Sequence, residues 1–531
     1  VTGRSVIGVD FGTSTSLVAE KVGAGRTEVF ALGTDTSWVP SVAAFDDGHF
    51  IVGEDADAFD DAVRSVKRAI TENRALARPG STLAADDVAV AILAEVLRRA
   101  SSRMSTSERV LLGCPAMWDG AQRLRLLGLA QRAGLELSLA DLIDEPVAAG
   151  FAWLTARRVA GAGLANGRVL VFDMGGGTLD VAALDVRDSH TVSVMAALGV
   201  AEAGDRLDDA IAEDLEAELD RQGVDVSTLD NPERARGRLR LAARTTKVAL
   251  STSETETVVL PRRLFGVSAL TYHRKQLEEL FAPQLDRAMQ YVLAALRMAR
   301  LPERLAGSTY DIMRLPADQL VGDIAAVVLA GGMSRIPYVT ERLREFFPHC
   351  PIEYATAQPD ESVVIGLADS TAYERVNMFR PGFDIEVEWT GANGHESRPL
   401  YRAFTPLYQP WQVAQGGADL CYRRNGLDLG LPREGRGRLR AWAPSGERVA
   451  AGLAGQPLDG FPVALSEQDF DFRIYCDGRI RMVDGNGAVE GHVQGWQPIR
   501  ARDHEDREDR RRYRPEPEIR VYYPFDRERN D

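Results

Sequence analysis

Two stretches decide the fold: VIGVDFGTSTSLVA, Val6 to Ala19, and VLVFDMGGGTLDVA, Val169 to Ala182. Laid over each other, Asp10 falls on Asp173, Gly12 on Gly175, Thr15 on Thr178, Val18 on Val181 and Ala19 on Ala182. Each copy is an apolar run, a turn carrying Asp and Gly, and a second alternating run, which is the pattern of a strand hairpin. Two copies about 160 residues apart predict two similar lobes facing each other, with a site between them.

The turns suggest what that site holds. In DFGTSTS, Gly12 lets the backbone approach a phosphate, Thr13, Ser14 and nearby amides can donate to its oxygens, and Asp10 would face a metal. A lone turn of this kind also serves a plain hairpin. In DMGGGTLD the consecutive Gly175, Gly176 and Gly177, set between Asp173 and Asp180, are costly in a strand hairpin unless a ligand must come close. A third loop, LAGGMSRIP from Leu329, follows an apolar strand and opens a helix near Pro337. Gly331 and Gly332 there would admit an adenosine moiety, and Arg335 could stack its guanidinium plane on the base. In isolation, that loop reads equally well as a strand-to-helix turn with a glycine pair.

Around these loops, AAVVLA from Ala325 reads as another strand. VAVAILAEVLRRA from Val88, AQRLRLLGLAQRAG from Ala121 and RKQLEELFAPQLDRAMQYVLAALRMA from Arg274 read as helices. Strands alternating with helices imply α/β layers. A chain of 531 residues predicts two to four domains. The formal charge of −15 argues against nucleic acid or an anionic membrane as partner, since both would repel the protein's field. No run approaches the roughly 20 apolar residues needed to span a bilayer. Cys114, Cys350, Cys421 and Cys476 are far apart and read as small buried apolar residues, so a soluble, reducing, cytoplasmic setting is expected.

From Phe379 the helical periodicity fades, Gly and Pro turns become frequent, and four of the seven tryptophans occur: Trp389, Trp411, Trp442 and Trp496. A separate β-rich domain over about 380–500 is predicted. RARDHEDREDRRRYRPEPE from Arg500 is a mixed-charge tract, read as a solvated, flexible tail over 501–531 or as a binding tail.

Four further motifs, SVKRAI at Ser65, CPAMWDGAQR at Cys114, LADLIDEPVAAGFAW at Leu139 and QPDESVVIGLA at Gln358, complete an ordered set with the loops. Residues 5–375 with these motifs resemble the ATPase domain of the DnaK-type heat-shock chaperone family. Actin-like filament proteins and sugar kinases share that fold, but SVKRAI and DEPVAAG are closer to the chaperone branch. The resemblance implies an α/β, two-lobed actin-like ATPase fold of duplicated RNase H-like lobes over 1–375. Lobe I would span about 1–165 and lobe II about 166–375. It also implies ATP and ADP as ligands, with Mg2+ and a monovalent cation such as K+.

Carried over residue by residue, the resemblance makes Lys67 the group that positions the attacking water and the γ-phosphate. It makes Glu145 the organiser of the metal-bound waters. Asp10 and Asp173 would hold cations through water, supported by Asp180, with Asp173 also in the catalytic set. Thr13 and Thr178 would approach the γ-phosphate. Gly12, Ser14, Gly175, Gly176, Gly177, Gly204, Lys247, Ser251, Gly331, Gly332, Arg335 and Asp360 complete the nucleotide contacts. Pro115 and Arg123 match a switch pair that relays nucleotide state to the outer surface.

Departures gather at the base and ribose. Arg244 stands where the family has a glutamate, Val248 where it has the arginine that stacks on adenine, Ala203 for a glycine and Met333 for a serine. An intact triphosphate grip with an altered adenine grip is therefore expected. ERVNMFRPGFDIEVEW from Glu374 replaces the family's acidic, leucine-rich linker, and no helical lid pattern follows it. The leading reading is a slow ATPase, a chaperone-related switch whose lobe closure controls binding of a protein client or regulatory partner through the C-terminal domain. A nucleotide-exchange factor would be a second partner. The alternatives are a nucleotide-binding regulatory or scaffold protein with little turnover, and an actin-like polymer, for which no specific interface signal exists.

Overall fold

A computed structural model describes residues 5–59, 61–78, 81–105, 109–162, 166–187, 190–302, 309–391, 394–414, 420–443 and 449–493. The duplicated hairpins each form the centre of a sheet. Ser5–Phe11 pairs antiparallel with Thr15–Val22 and parallel with Arg109–Cys114, which in turn pairs parallel with Leu142–Asp144. Gly167–Met174 pairs antiparallel with Leu179–Arg187 and parallel with Ile324–Ala330, which pairs parallel with Ile352–Tyr354. The two sheets thus repeat one topology. Thr191–Val200 and Glu374–Asn377 extend the second sheet at its other end.

Both central strands are buried nearly throughout, as their continuous apolar sequence requires of strands covered on two faces. One apolar cluster lies on the outer face of the first sheet, under the helices Ala85–Ala100 and Gly120–Arg132. Another gathers residues of both sheets: Leu111 and Ile143 from the first, Val171 and Leu184 from the second. The helices Glu145–Val159 and Ser362–Asp369 fill the space between them. The first of these runs EPVAAGFAWLTARRV, with Pro146 in its opening turn and every residue from Glu145 to Leu154 buried. Alanine and glycine leave it narrow enough for close backbone contact. A Cβ on Gly366 of its partner helix would collide with the Ala148 carbonyl.

Downstream, two antiparallel sheets make the C-terminal unit β-rich. One runs Gly394–Tyr401, Asp384–Gly391, Gly435–Trp442, Pro462–Leu465; the other is built on Cys421–Asn425, Asp471–Tyr475, Arg479–Asp484 and Gly487–Val493. The composition change coincides with the change to antiparallel sheets, and the apolar core continues across it. Phe379, Phe383, Leu439, Phe472 and Ile480 belong to the same buried cluster as Leu285, Val292 and Leu329 of the second lobe. Ala403 and Phe404 reach the first lobe at Ala140. The C-terminal unit therefore rests on both lobes. Cys114 and Cys476 are buried as expected, whereas Cys350 and Cys421 are only half-buried. Among the described residues, no helix is long and apolar enough to cross a membrane. The charged tract from Arg500 lies outside the described residues.

Gly366→Ala should cost about 1–3 kcal/mol or more, because the Ala148 carbonyl it would strike is backbone inside a buried helix. Scanning calorimetry should show a melting temperature several degrees lower; an unchanged value would mean that the two helices do not pack this closely.

Candidate functional site

The duplicated hairpins bring their turns tip to tip. A Cβ on Gly176 would strike the Ser14 hydroxyl, and one on Gly177 would strike Thr13. Gly176 and Gly177 thus serve the contact between hairpins, while a Cβ on Gly175 would meet only the Thr178 carbonyl of its own hairpin at an ordinary distance. The Gly175 amide donates to the Thr178 carbonyl (3.0 Å), while the Gly175 and Gly176 carbonyls accept from the amides of Gly204 (3.2 Å) and Asp205 (2.6 Å). Lys247 reaches the same place: its ammonium donates to the Gly204 carbonyl (3.1 Å) and pairs with Asp208 (2.7 Å).

Beneath the tips lies the charged centre. Asp10 and Asp173 are the penultimate residues of the two central strands. Lys67, on the helix Val66–Thr71, forms a buried ion pair with Glu145, first residue of the central helix. Asp180 accepts from the Ala116 amide (2.8 Å) across the lobes and from Thr178. Sequence reading passed over Gly199, whose place in the neighbouring strand faces Asp180; a Cβ there would overlap its carboxylate. Asp10, Thr13, Lys67, Glu145, Asp173, Thr178 and Asp180 are all buried.

Four carboxylates therefore surround one ammonium. Burial, followed by Glu145, pushes Asp10 and Asp180 each up to about 7. Burial and the negative charges of Glu145, Asp180 and Asp10 hold Asp173 well above the ordinary carboxyl range. Burial opposes the Lys67 charge, but Glu145 and Asp10 outweigh it, and its pKa lies above the ordinary lysine value. Such a site is short of positive charge and suits a cation. Among the described residues no three His, Cys, Asp or Glu side chains converge closely enough to ligate a metal directly.

The third loop lies against this centre. Gly331 has φ +76°, and a Cβ there would meet the Met174 carbonyl and Asp173 Oδ1. Arg335 is held by Asp360 (2.8 Å) and Gln358 (2.5 Å), and Gly332 is exposed. The Ser251 hydroxyl, just past the end of its helix, donates back to the Lys247 carbonyl (3.2 Å). Met333 and Ala203 are core residues of the second lobe, so these two departures alter packing. Val248 is 64% exposed. Arg244 lines a cleft of about 790 Å³ between the lobes, together with Thr13, Ser14, Arg64, Arg68 and Asp205. Asp10, Lys67, Glu145 and Asp173 are not among its walls; they lie below the touching tips. Ser65, in the left-handed region at φ 54°, donates across the cleft to Asp205 (2.5 Å).

Pro115 and Arg123 are also inside. Pro115 is buried, and so is Arg123, which pairs with buried Asp144. Asp144 received no role from the sequence, although it directly precedes Glu145 in DEPVAAG.

A family model described as "Hsp70 protein" matches residues 65–373. Chaperone protein DnaK of Thermotoga neapolitana is 29% identical over 384 residues, covering 69% of this chain and 59% of that protein. The DnaK of Mycoplasmopsis agalactiae is 28% identical over 376 residues, 68% of this chain and 58% of its own. That of Thermosipho melanesiensis is 28% identical over 376 residues, covering 69% and 59%. The chain spans less than two thirds of the length of the relatives it matches.

A carboxyl with a higher pKa folded than unfolded binds more protons in the native state between the two values, so stability falls as pH rises through that window. For Asp10 and Asp180 the window runs from 3.8 to about 7. The melting temperature of chelated, nucleotide-free protein should decline across it, and less steeply in Asp180→Asn. Parallel profiles for the two proteins would refute the charge crowding.

Proposed function

Because the chain belongs to the Hsp70 family, whose fold is a two-lobed actin-like ATPase with a β-rich C-terminal region, we propose that it is a slowly hydrolysing, chaperone-related ATP switch. The lobes would be about 1–165 and 166–375, followed by the β-rich unit at 380–500 and the charged tail at 501–531. The observation that carries this reading is the buried Lys67–Glu145 pair among Asp10, Asp173 and Asp180, directly beneath two glycine hairpins.

In this proposal the hairpin tips part to take the triphosphate, with Gly12, Thr13, Ser14 and Gly175 to Gly177 against its oxygens. Lys67, kept protonated by its neighbours, stabilises charge on the transferring phosphoryl group, and Glu145 orients the attacking water. Magnesium bound with the nucleotide would neutralise phosphate oxygens, held through water by Asp10, Asp173 and Asp180; K+ would assist. Thr178, hydrogen-bonded to Asp180, would point its hydroxyl toward the γ-phosphate. Gly204, Lys247, Ser251, Gly331, Gly332, Arg335 and Asp360 would hold the nucleoside end. Loss of the γ-phosphate removes what holds the tips in place, and the lobes change angle. A cytoplasmic setting, a nucleotide-exchange factor and a protein client complete this reading.

A regulatory protein with little turnover is the second reading. It is favoured by Val248 standing free in solvent and by Arg335 being engaged with Asp360, which leave the base loosely held. Phosphate release separates the two. Wild type should turn over slowly, and Lys67→Ala should bind ATP but cleave it at least tenfold more slowly; equal rates would remove Lys67 from the chemistry.

The base contacts predict poor discrimination between purines, so GDP should compete with ADP in calorimetric titration. A preference for ADP above roughly 1000-fold, about 4 kcal/mol, would show that another residue reads the base.

For the C-terminal unit, the exposed side chains set the expectation. Trp411 is 49% exposed and Leu427 68%, whereas Trp389 is buried beneath the Arg398 guanidinium and Trp442 is half-buried. Trp496 lies outside the described residues. A folded partner docking on Trp411 suits such isolated anchors better than an extended peptide, which needs strand pairing and a row of pockets. Labelled hydrophobic heptapeptides should bind weakly or not at all in fluorescence anisotropy; micromolar binding that weakens when ATP replaces ADP would overturn this.

A further inference from the structure

The segment joining the second-lobe sheet to the C-terminal unit sends two arginines back into the first lobe. Arg375 and Arg380 are both buried. Arg375 donates to the carbonyls of Ala140 (3.3 Å) and Leu142 (3.5 Å). Arg380 donates to Asp144 Oδ1 (3.1 Å) and to the carbonyls of Ala116 (2.9 Å) and Trp118 (3.1 Å). Its backbone is fixed by Asn377, whose side-chain oxygen accepts from the amides of Phe379 (3.0 Å) and Arg380 (2.6 Å). Arg123 approaches from the first lobe and binds the same Asp144 oxygen and, through Nε, the same Trp118 carbonyl (3.1 Å).

One buried carboxylate therefore serves two guanidiniums. Burial alone would raise the Asp144 pKa; Arg123 and Arg380 reverse this and hold it below the ordinary range. Burial, then Arg123, pushes Arg380 down to about 10. The pair Arg123–Asp144 already balances its own charge, so folding does not require a second cation there. Three carbonyl and carboxylate contacts keep Arg380 in place nevertheless. Those contacts fall on the two segments that position the candidate catalytic groups. Asp144 ends its strand and the next residue, Glu145, pairs with Lys67. The Ala116 carbonyl binds Arg380 while the Ala116 amide binds Asp180 (2.8 Å).

We propose that Arg380 is a positioning residue for hydrolysis, holding the Asp144–Glu145 step and the Ala116 peptide so that turnover depends on how the C-terminal unit is seated. This rests on the ATPase reading. It assigns to the segment MFRPGF, where the chain departs from the expected linker, a direct hold on the site. Because the hold is a charge-assisted bond to Asp144 plus two carbonyl bonds, charge and shape contribute separately.

The test is steady-state Mg-ATP hydrolysis by the full chain with Arg380 changed to Ala, Gln and Lys, alongside melting curves and nucleotide Kd. Arg380→Ala and Arg380→Gln should lower kcat about tenfold, with KM and Kd within twofold of wild type. Arg380→Lys, which keeps the charge beside Asp144, should recover to within about threefold. Combining Arg380→Ala with Arg123→Ala should cost less than the product of the two single losses, since both act through Asp144. Should Arg380→Ala fail to fold, the difference between Gln and Lys decides. Folded Gln and Lys variants both within twofold of wild-type kcat, or KM rising in step with the loss, would overturn the proposal. Wild type that releases no more phosphate than Lys67→Ala would instead overturn the ATPase reading beneath it.

Discussion

Everything in the nucleotide-binding half is arranged around one electrostatic imbalance: Asp10, Glu145, Asp173 and Asp180 lie buried around the single ammonium of Lys67. Burial and the neighbouring Glu145 charge raise the pKa of Asp10, Asp173 and Asp180, and a fold that keeps them together gives up stability to do so. The duplicated sheets explain how they are kept. Each central strand carries an aspartate one residue before its end, at the same place in the same topology, so two lobes closing on each other bring Asp10 and Asp173 together.

Glycine determines how tightly that point can close. Gly176 and Gly177 let the hairpin tips touch, Gly331 lets the third strand's end press on Asp173, and Gly366 lets two helices cross between the sheets. Each is a place where one Cβ would hold elements apart. Packed backbone does not deform gradually, so in the proposed switch entry of a triphosphate would shift the lobes as bodies. The C-terminal unit touches the first lobe at Ala140 and shares the core of the second, so such a shift would move its seat.

The repeat and the loop glycines were legible in the sequence because hairpins and phosphate-type turns are local, and their residues adjoin in the chain. The strands at Ser5, Gly167 and Ile324 and the helix Arg274–Arg300 fall where the apolar patterns predict them. What the sequence concealed is non-local. Gly199 matters only because strand pairing sets it opposite Asp180. Arg123 carries a role in the sequence only through the resemblance, and its buried partner Asp144, 21 residues on, is marked by no local pattern. Arg380 looked like part of an unmatched linker, and its contacts at Ala116 and Asp144 lie 264 and 236 residues away. The C-terminal unit's continuity with the second-lobe core was equally hidden, since composition marks a change of secondary structure and carries no information on which surfaces then meet.

The central claim is that nucleotide state sets the angle between the lobes. Its most direct measurement is the distance between spin labels at Ala77 and Glu233, which line opposite sides of the interlobe cleft. Pulsed dipolar spectroscopy should give one distance distribution without nucleotide and a shifted one with Mg-ATP. The shift should decay with hydrolysis in the wild type and persist in Lys67→Ala. A distribution that is the same with no nucleotide, with ATP and with ADP would contradict the account.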